Sequence, residues 1–180
     1  MGERTTPSGL VLVETLVNTF DVEAGRDALA TPDGLEALMR AGDVALTADD
    51  MPAVVRLREA LRAACAAHTG RAMPPRSAAD LTDLLAEAPL TLHVDGATGN
   101  ATLHPAAGLT GARALTARVA ASIAAAEADG TWRRLKACEA ESCRWAYYDH
   151  SPAGRRRWCS MQLCGARSKM RAYRAKRRTT

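Results

Sequence analysis

The sequence predicts a mainly α protein of the α+β class. A helical amino-terminal domain, residues 1–130, carries one small β-hairpin, and a compact second module, residues 131–180, combines a hairpin with a basic helix. Three observations carry this reading. Apolar residues recur at helical spacing through most of the first 130 positions, the period shortens to two near residues 90–105, and four of the five cysteines fall within 138–164, just before a run of cations. At 180 residues and 47% hydrophobic composition, the chain can bury one substantial core and a small appended unit.

Leu10, Val13, Val17 and Phe20 lie at helical spacing, so the first helix is expected to end near "VNTF". Thr31 followed by Pro32 supplies a cap and a proline at the first helical position, and Gly42 closes that short helix. Thr47 with Asp50 three residues on opens a longer helix whose apolar stripe is Val54, Leu57, Leu61, Ala64 and Cys65, with Gly70 as its stop. In that reading Cys65 is a small core residue and His68 a surface one. After "AMPPRS", Ser77 can cap a helix bearing Leu81, Leu84 and Leu85. "LTLHVDGATGNATLHP" alternates apolar and polar residues on both sides of a Gly/Asn turn, which predicts a hairpin with His93 and His104 facing one another. An alanine-rich helix over 111–129 then places Leu115, Val119, Ile123 and Ala126 on one face before Gly130.

Charge divides the chain in two. Residues 131–180 hold 14 Lys/Arg against 3 Asp/Glu, net +11, whereas residues 1–130 hold 10 against 17, net −7. Such asymmetry predicts a polyanionic partner for the basic part, or contact between the halves. The apolar run "GLVLVETLVNTF" is interrupted by Glu14 and is too short to span a bilayer, and no small-residue cleavage site follows it. The expectation is a soluble, cytoplasmic protein with no membrane association.

Cys138, Cys143, Cys159 and Cys164 form C-x4-C-x15-C-x4-C. In a reducing compartment this clustering indicates metal rather than disulfides, with buried reduced thiols or redox chemistry as the alternatives. Four thiolates satisfy a tetrahedral Zn²⁺ completely and leave no open position, so one structural ion is expected. The 15 residues between the pairs fit a hairpin with "RWAYYD" and "RRRWC" as strands and a turn at "HSPAG". His150 could replace a thiolate, but the four cysteines already fill the shell. A Zn(Cys)₄ centre carries a formal charge of −2, and Lys136, Arg144, Arg155, Arg156 and Arg157 are the cations near enough in sequence to offset it.

The positive charge exceeds that need. "RSKMRAYRAKRR" places Arg167, Lys169, Arg171, Arg174, Lys176, Arg177 and Arg178 at helix-compatible spacing with no acid among them. A helix starting near Cys164 would root these cations in the metal site, in a treble-clef-like arrangement suited to phosphate contact, and Arg167 would be held beside the ion for base contact. A solvated basic tail is the alternative. All three Trp and all three Tyr occur from Trp132 onward, and Trp145, Tyr147, Tyr148 and Trp158 flank the ligands, as a core for so small a unit or as stacking platforms. Tyr173 lies within the basic helix and could stack on an unpaired base.

The segment "LKACEAESCRWAYYDHSPAGRRRWCSMQLCGARSKMRAYRAKRR" resembles the CGNR zinc finger, named for a Cys-Gly-Asn-Arg tetrapeptide at its last ligand. Here that tetrapeptide is Cys164, Gly165, Ala166 and Arg167, with alanine in place of the asparagine. "ETLVNTFD" and "LREALRAA" resemble the opening motif and central helix of the ABATE domain that precedes this finger. The resemblance implies a bacterial, stress-related transcription regulator with a zinc-binding, DNA-binding carboxy-terminal module.

Asn18 and Thr19 put an amide and a hydroxyl at the end of an otherwise apolar helix. They either bond nearby backbone or contact a small effector in a sensing domain. The leading expectation is DNA binding through the basic helix. RNA or an acidic protein is the alternative partner, and a homodimer is expected because one finger makes a small footprint. No nucleophile motif, glycine-rich phosphate loop or placed carboxylate pair supports an enzyme.

Overall fold

A computed structural model of the chain describes residues 5–178, apart from the side chains of Lys176 and Arg178, so those two expected phosphate contacts lie outside the described residues. The architecture is mainly α with three two-stranded antiparallel sheets among these residues. In chain order come α1 (Ser8–Asn18), β1 (Phe20–Asp21), β2 (Arg26–Asp27), α2 (Pro32–Gly42), α3 (Met51–Ala67), α4 (Pro75–Ala86), β3 (Leu90–Val94), β4 (Ala101–Pro105), α5 (Gly111–Ala128), β5 (Leu135–Ala137), β6 (Ala146–Tyr148) and α6 (Ala166–Arg178).

Local chemistry sets most boundaries as expected. The Thr31 hydroxyl accepts the Gly34 N–H at 3.2 Å and Pro32 occupies the first turn of α2. The left-handed residue that ends α2 is Asp43 rather than Gly42. Asp50 does more than close a capping box. One carboxylate oxygen accepts from Thr47 N–H at 2.8 Å and from the Thr47 hydroxyl at 2.9 Å, while the other accepts the Ala112 N–H at the start of α5 at 2.7 Å. A single side chain therefore serves two helix entries. Gly111, at φ +57°, is what lets the backbone come this close, because a Cβ there would sit 2.3 Å from Asp50 Oδ1.

Two expectations are corrected. The helix expected to be capped by Ser77 begins at Pro75, whose missing N–H is one of the first-turn donors that would have no intrahelical partner anyway. The expectation of one small hairpin in this domain is extended by β1–β2, whose two-residue strands carry no periodicity.

Leu10, Val13, Leu16 and Val17 of α1, Val54, Leu57, Leu61 and Cys65 of α3, and Leu115 and Val119 of α5 form one buried core. Trp132, Leu135, Ala137 and Ala146 belong to the same cluster. The hairpin that carries the metal ligands thus forms a wall of the helical core, with β5 packed on α3 and β6 on α1. No helix among the described residues is long and apolar enough to cross a membrane.

Candidate metal centre

β5 leads directly into Cys138, and β6 pairs with it in the register Leu135 to Tyr148 and Ala137 to Ala146. The first cysteine pair is thereby the tip of a hairpin. Cys143 N–H donates to Ala140 O at 2.9 Å, Cys138 N–H donates to Trp145 O at 2.9 Å, and Arg144 turns the chain back at φ +54°. This corrects the expected hairpin between the pairs: "RWAYYD" supplies a strand, but its partner lies before Cys138, and residues 155–159 form no strand. The physical reason is Asp149. Its fully buried carboxylate accepts from the Ser151 and Arg156 N–H groups, the Ser151 hydroxyl and Lys136 Nζ, and so folds 149–156 into a loop. The second pair is built on a wide turn, Met161–Gly165, whose entry is capped by the Ser160 hydroxyl accepting Leu163 N–H at 3.3 Å; α6 follows without a break. Cys164 stands at the root of the basic helix, as expected.

All four sulfurs lie within 4.8 Å of one another, with Cys143 to Cys159 at 3.7 Å and Cys159 to Cys164 at 3.8 Å. A tetrahedron with Zn–S bonds of about 2.3 Å has S–S edges of about 3.8 Å, so the donor set fits one Zn²⁺. The thiols themselves call for a cation. Hydrogen bonding from Cys159, together with the N–H groups of Cys159 and Ala140, pulls the Cys138 thiol down to about 5, whereas Cys164 is pushed up to about 11 by burial and by its sulfur neighbours. Cys159 is raised too, chiefly by its bond to Cys138. Four sulfurs this close cannot all ionise unless a cation compensates them.

The surrounding groups hold this geometry. Tyr147 packs with Cys138, Ala140 and Cys164, and donates its hydroxyl to Arg156 O at 2.9 Å. Arg156 donates to Cys159 O at 2.7 Å and lies over the Tyr147 ring. Lys136 is buried against Asp149 at 2.9 Å and donates to Gly154 O at 2.6 Å, while Arg157 pairs with Glu139. These cations, expected to offset the thiolate charge, bond backbone carbonyls and carboxylates, and they reach the site through its scaffold.

The finger is tied to the helical domain by polar contacts as well as by the shared core. Asn18 donates to Ala146 O at 3.0 Å and accepts Ala146 N–H at 2.7 Å, which holds β6 against the end of α1. Arg62, fully buried, donates to Val17 O at 2.6 Å, Phe20 O at 3.3 Å, Arg144 O at 3.0 Å and Glu59 at 3.2 Å. Burial lowers its pKa and the Glu59 carboxylate raises it again; a guanidinium stays charged throughout the working pH range. Arg58, one turn earlier on α3, stays within the helical domain: its Nη1 donates to both Asp27 carboxylate oxygens at 2.7 and 2.8 Å, and its guanidinium lies over Phe20. His68 corrects an expectation: it is half-buried, donates Nδ1–H to Leu135 O at 2.7 Å and stands edge-on to Trp132. The only sequence signal for Arg58 and Arg62 was their position, four residues apart, inside an apolar stripe.

Thr19 donates its hydroxyl to Leu16 O at 2.8 Å and accepts from Arg58. Asn18 and Thr19 do line a cleft of about 460 Å³ with Glu14, Thr15 and Trp145. Their polar atoms, however, are taken by protein partners. On α6, Arg167 pairs with Glu23 of the β1–β2 turn at 2.5 Å, while Lys169, Arg171, Arg174 and Arg177 are exposed, with Arg177 over the Tyr173 ring. Ala166, which replaces the motif asparagine, is exposed in the first turn. Gly165 is buried, and a Cβ there would lie 3.1 Å from Met161 Sδ.

Compared with known families, residues 134–177 match the CGNR zinc finger, and the site holds one structural zinc. Residues 10–130, two thirds of the chain, match the ABATE family, described as "Putative stress-induced transcription regulator". No curated protein matches the chain.

Proposed function

The chain belongs to the ABATE family and carries a CGNR zinc finger, and from that membership we propose that it is a cytoplasmic bacterial transcription regulator, stress-related, that binds DNA through α6. The observation that carries this is the condition of α6. Apart from Ser168, every described side chain from Ala166 to Arg177 is exposed, and the helix contains no acid. A helix about 10–12 Å across fits a major groove about 12 Å wide. Leu163, Met170, Arg174 and Arg177 recur at spacings of seven, four and three with Arg167 beside them, so cations and apolar groups share one face. Zinc supplies the rigid root and takes no part in chemistry, since four thiolates leave no open position for a substrate. This is a non-catalytic reading.

Substituting Lys169 or Arg174 by alanine should weaken binding to all duplex sequences and reduce the slope of log affinity against log salt by about one per lost phosphate contact. Affinity that does not change across a salt titration would refute the reading. The Arg167–Glu23 pair favours one alternative, in which the basic finger docks acidic protein surfaces. RNA is the other, through Tyr173, which is 57% exposed. Mobility shift with duplex DNA, RNA and a protein polyanion at near-physiological salt separates the three. An effector entering the Asn18 cleft would meet Glu14, Thr15 and Trp145, because the Asn18 and Thr19 polar atoms are already bonded.

A further inference from the structure

The hairpin β3–β4 leaves one backbone edge open. β4 packs on α5 and ends in Pro105, which has no N–H to offer. β3 has no pairing strand on its outer side among the described residues. Proteins normally guard such an edge with a lysine, a proline or a bulge. "LTLHV" has none of these, and Leu92 is 65% and Val94 57% exposed.

The phase of the ladder shows which groups face outward. Asp95 N–H donates to Asn100 O, and Ala106 N–H to Pro89 O, so the inward bonds fall at odd positions of this strand. Antiparallel alternation then turns the N–H and C=O groups of Leu90, Leu92 and Val94 to the open edge. We propose that two copies of this chain associate by antiparallel pairing of β3 with β3 of the second copy, in a register centred on Leu92. In that register Leu92 meets Leu92 of the second copy, and Leu90 meets its Val94. Only the outward groups are used, and every one of them finds a partner.

The side chains agree with the backbone. Leu90, Leu92 and Val94 share one face with Pro105, Leu103 and Ala101 of β4, so the pairing continues a single apolar face over four strands. On the other face Thr91 stands opposite His93 of the second copy. This self-complementarity is what a two-fold interface demands and what an unrelated peptide would not supply. Charge favours the same occupant: two chains of equal net charge repel least where they carry none, and neither 90–94 nor 101–105 contains a charged residue. The inference does not depend on DNA binding.

The test is sedimentation of the zinc-loaded full chain over a concentration series into the high micromolar range. The wild type should pass from monomer to dimer. Leu92→Lys alone and Leu92→Glu alone should stay monomeric, and an equimolar mixture of the two should regain the dimer, because position 92 faces itself. Unchanged zinc content and far-UV dichroism check that the variants are folded. Amide exchange of the wild type gives a measurement free of variants: protection of the Leu90, Leu92 and Val94 amides should rise with concentration. A monomeric wild type, single variants that still dimerise, a mixture that stays monomeric, or outward amides that exchange equally fast at all concentrations would each overturn the proposal.

Discussion

Replacing Arg62 tests how tightly the finger is bound into the fold. Arg62→Met keeps the length of the side chain and its apolar stem but removes a guanidinium that satisfies three carbonyls, those of Val17, Phe20 and Arg144. Each buried acceptor left without a donor costs about 1–3 kcal/mol. The Phe20 contact at 3.3 Å is the weakest of the three, and Glu59 keeps its bond to Arg58 and is 45% exposed, so water solvates it. The expected loss is about 3–5 kcal/mol, in the range for breaking a buried charged network and a large part of the about 5–15 kcal/mol that holds a typical domain. Urea unfolding of the zinc-loaded protein should be followed twice. Far-UV dichroism reports mainly the helices, and tryptophan fluorescence reports Trp132, Trp145 and Trp158. In the wild type the two curves should coincide, because the finger hairpin shares the helical core. In Arg62→Met both midpoints should fall together. A loss below about 1 kcal/mol, or wild-type curves that separate, would refute the argument that this side chain ties the two parts into one cooperative unit.

Two further predictions concern zinc and pH. The purified chain should contain one zinc per molecule; chelation or Cys143→Ser should abolish it and lower the midpoint of tryptophan-detected unfolding, and a metal-free preparation of equal stability would contradict the assignment. Asp50 is held below the ordinary carboxylate range, first by the Thr47 N–H and then by the Ala112 N–H. A depressed folded pKa contributes stability that is present above the unfolded value near 3.9 and is lost as pH falls through the folded one. Asp50→Ala should therefore cost about 1 kcal/mol near neutral pH. The difference from wild type should shrink as pH drops below about 4, and a difference independent of pH would count against the double cap.

Features set by neighbouring residues were legible in the sequence. Thr31 with Pro32, Thr47 with Asp50, the alternation of 90–105 and the spacing of the four cysteines each encode their structure locally, and the structure follows them. What the sequence concealed depends on partners far along the chain. Asn18 meets Ala146 across 128 positions, Arg62 meets Arg144 across 82, and His68 meets Leu135 across 67. No window of the sequence contains both members of any of these pairs. The misplaced finger hairpin has the same origin: the strand that pairs with β6 precedes the first ligand, and the buried Lys136–Asp149 pair rather than a turn motif shapes the loop that follows. The charge asymmetry predicts a polyanionic partner or contact between the halves; Arg167 with Glu23 is one such contact, and nothing local singles out that pair.

Because the ligand-bearing hairpin is a wall of the core, with β5 on α3 and β6 on α1, metal scarcity would be felt well beyond the finger. Stripped of its ion, the carboxy-terminal unit would loosen and expose the oily flank around Val17, Leu61 and Cys65, inviting aggregation or proteolysis. Cellular abundance of the chain should therefore track zinc supply, even where no gene is being regulated.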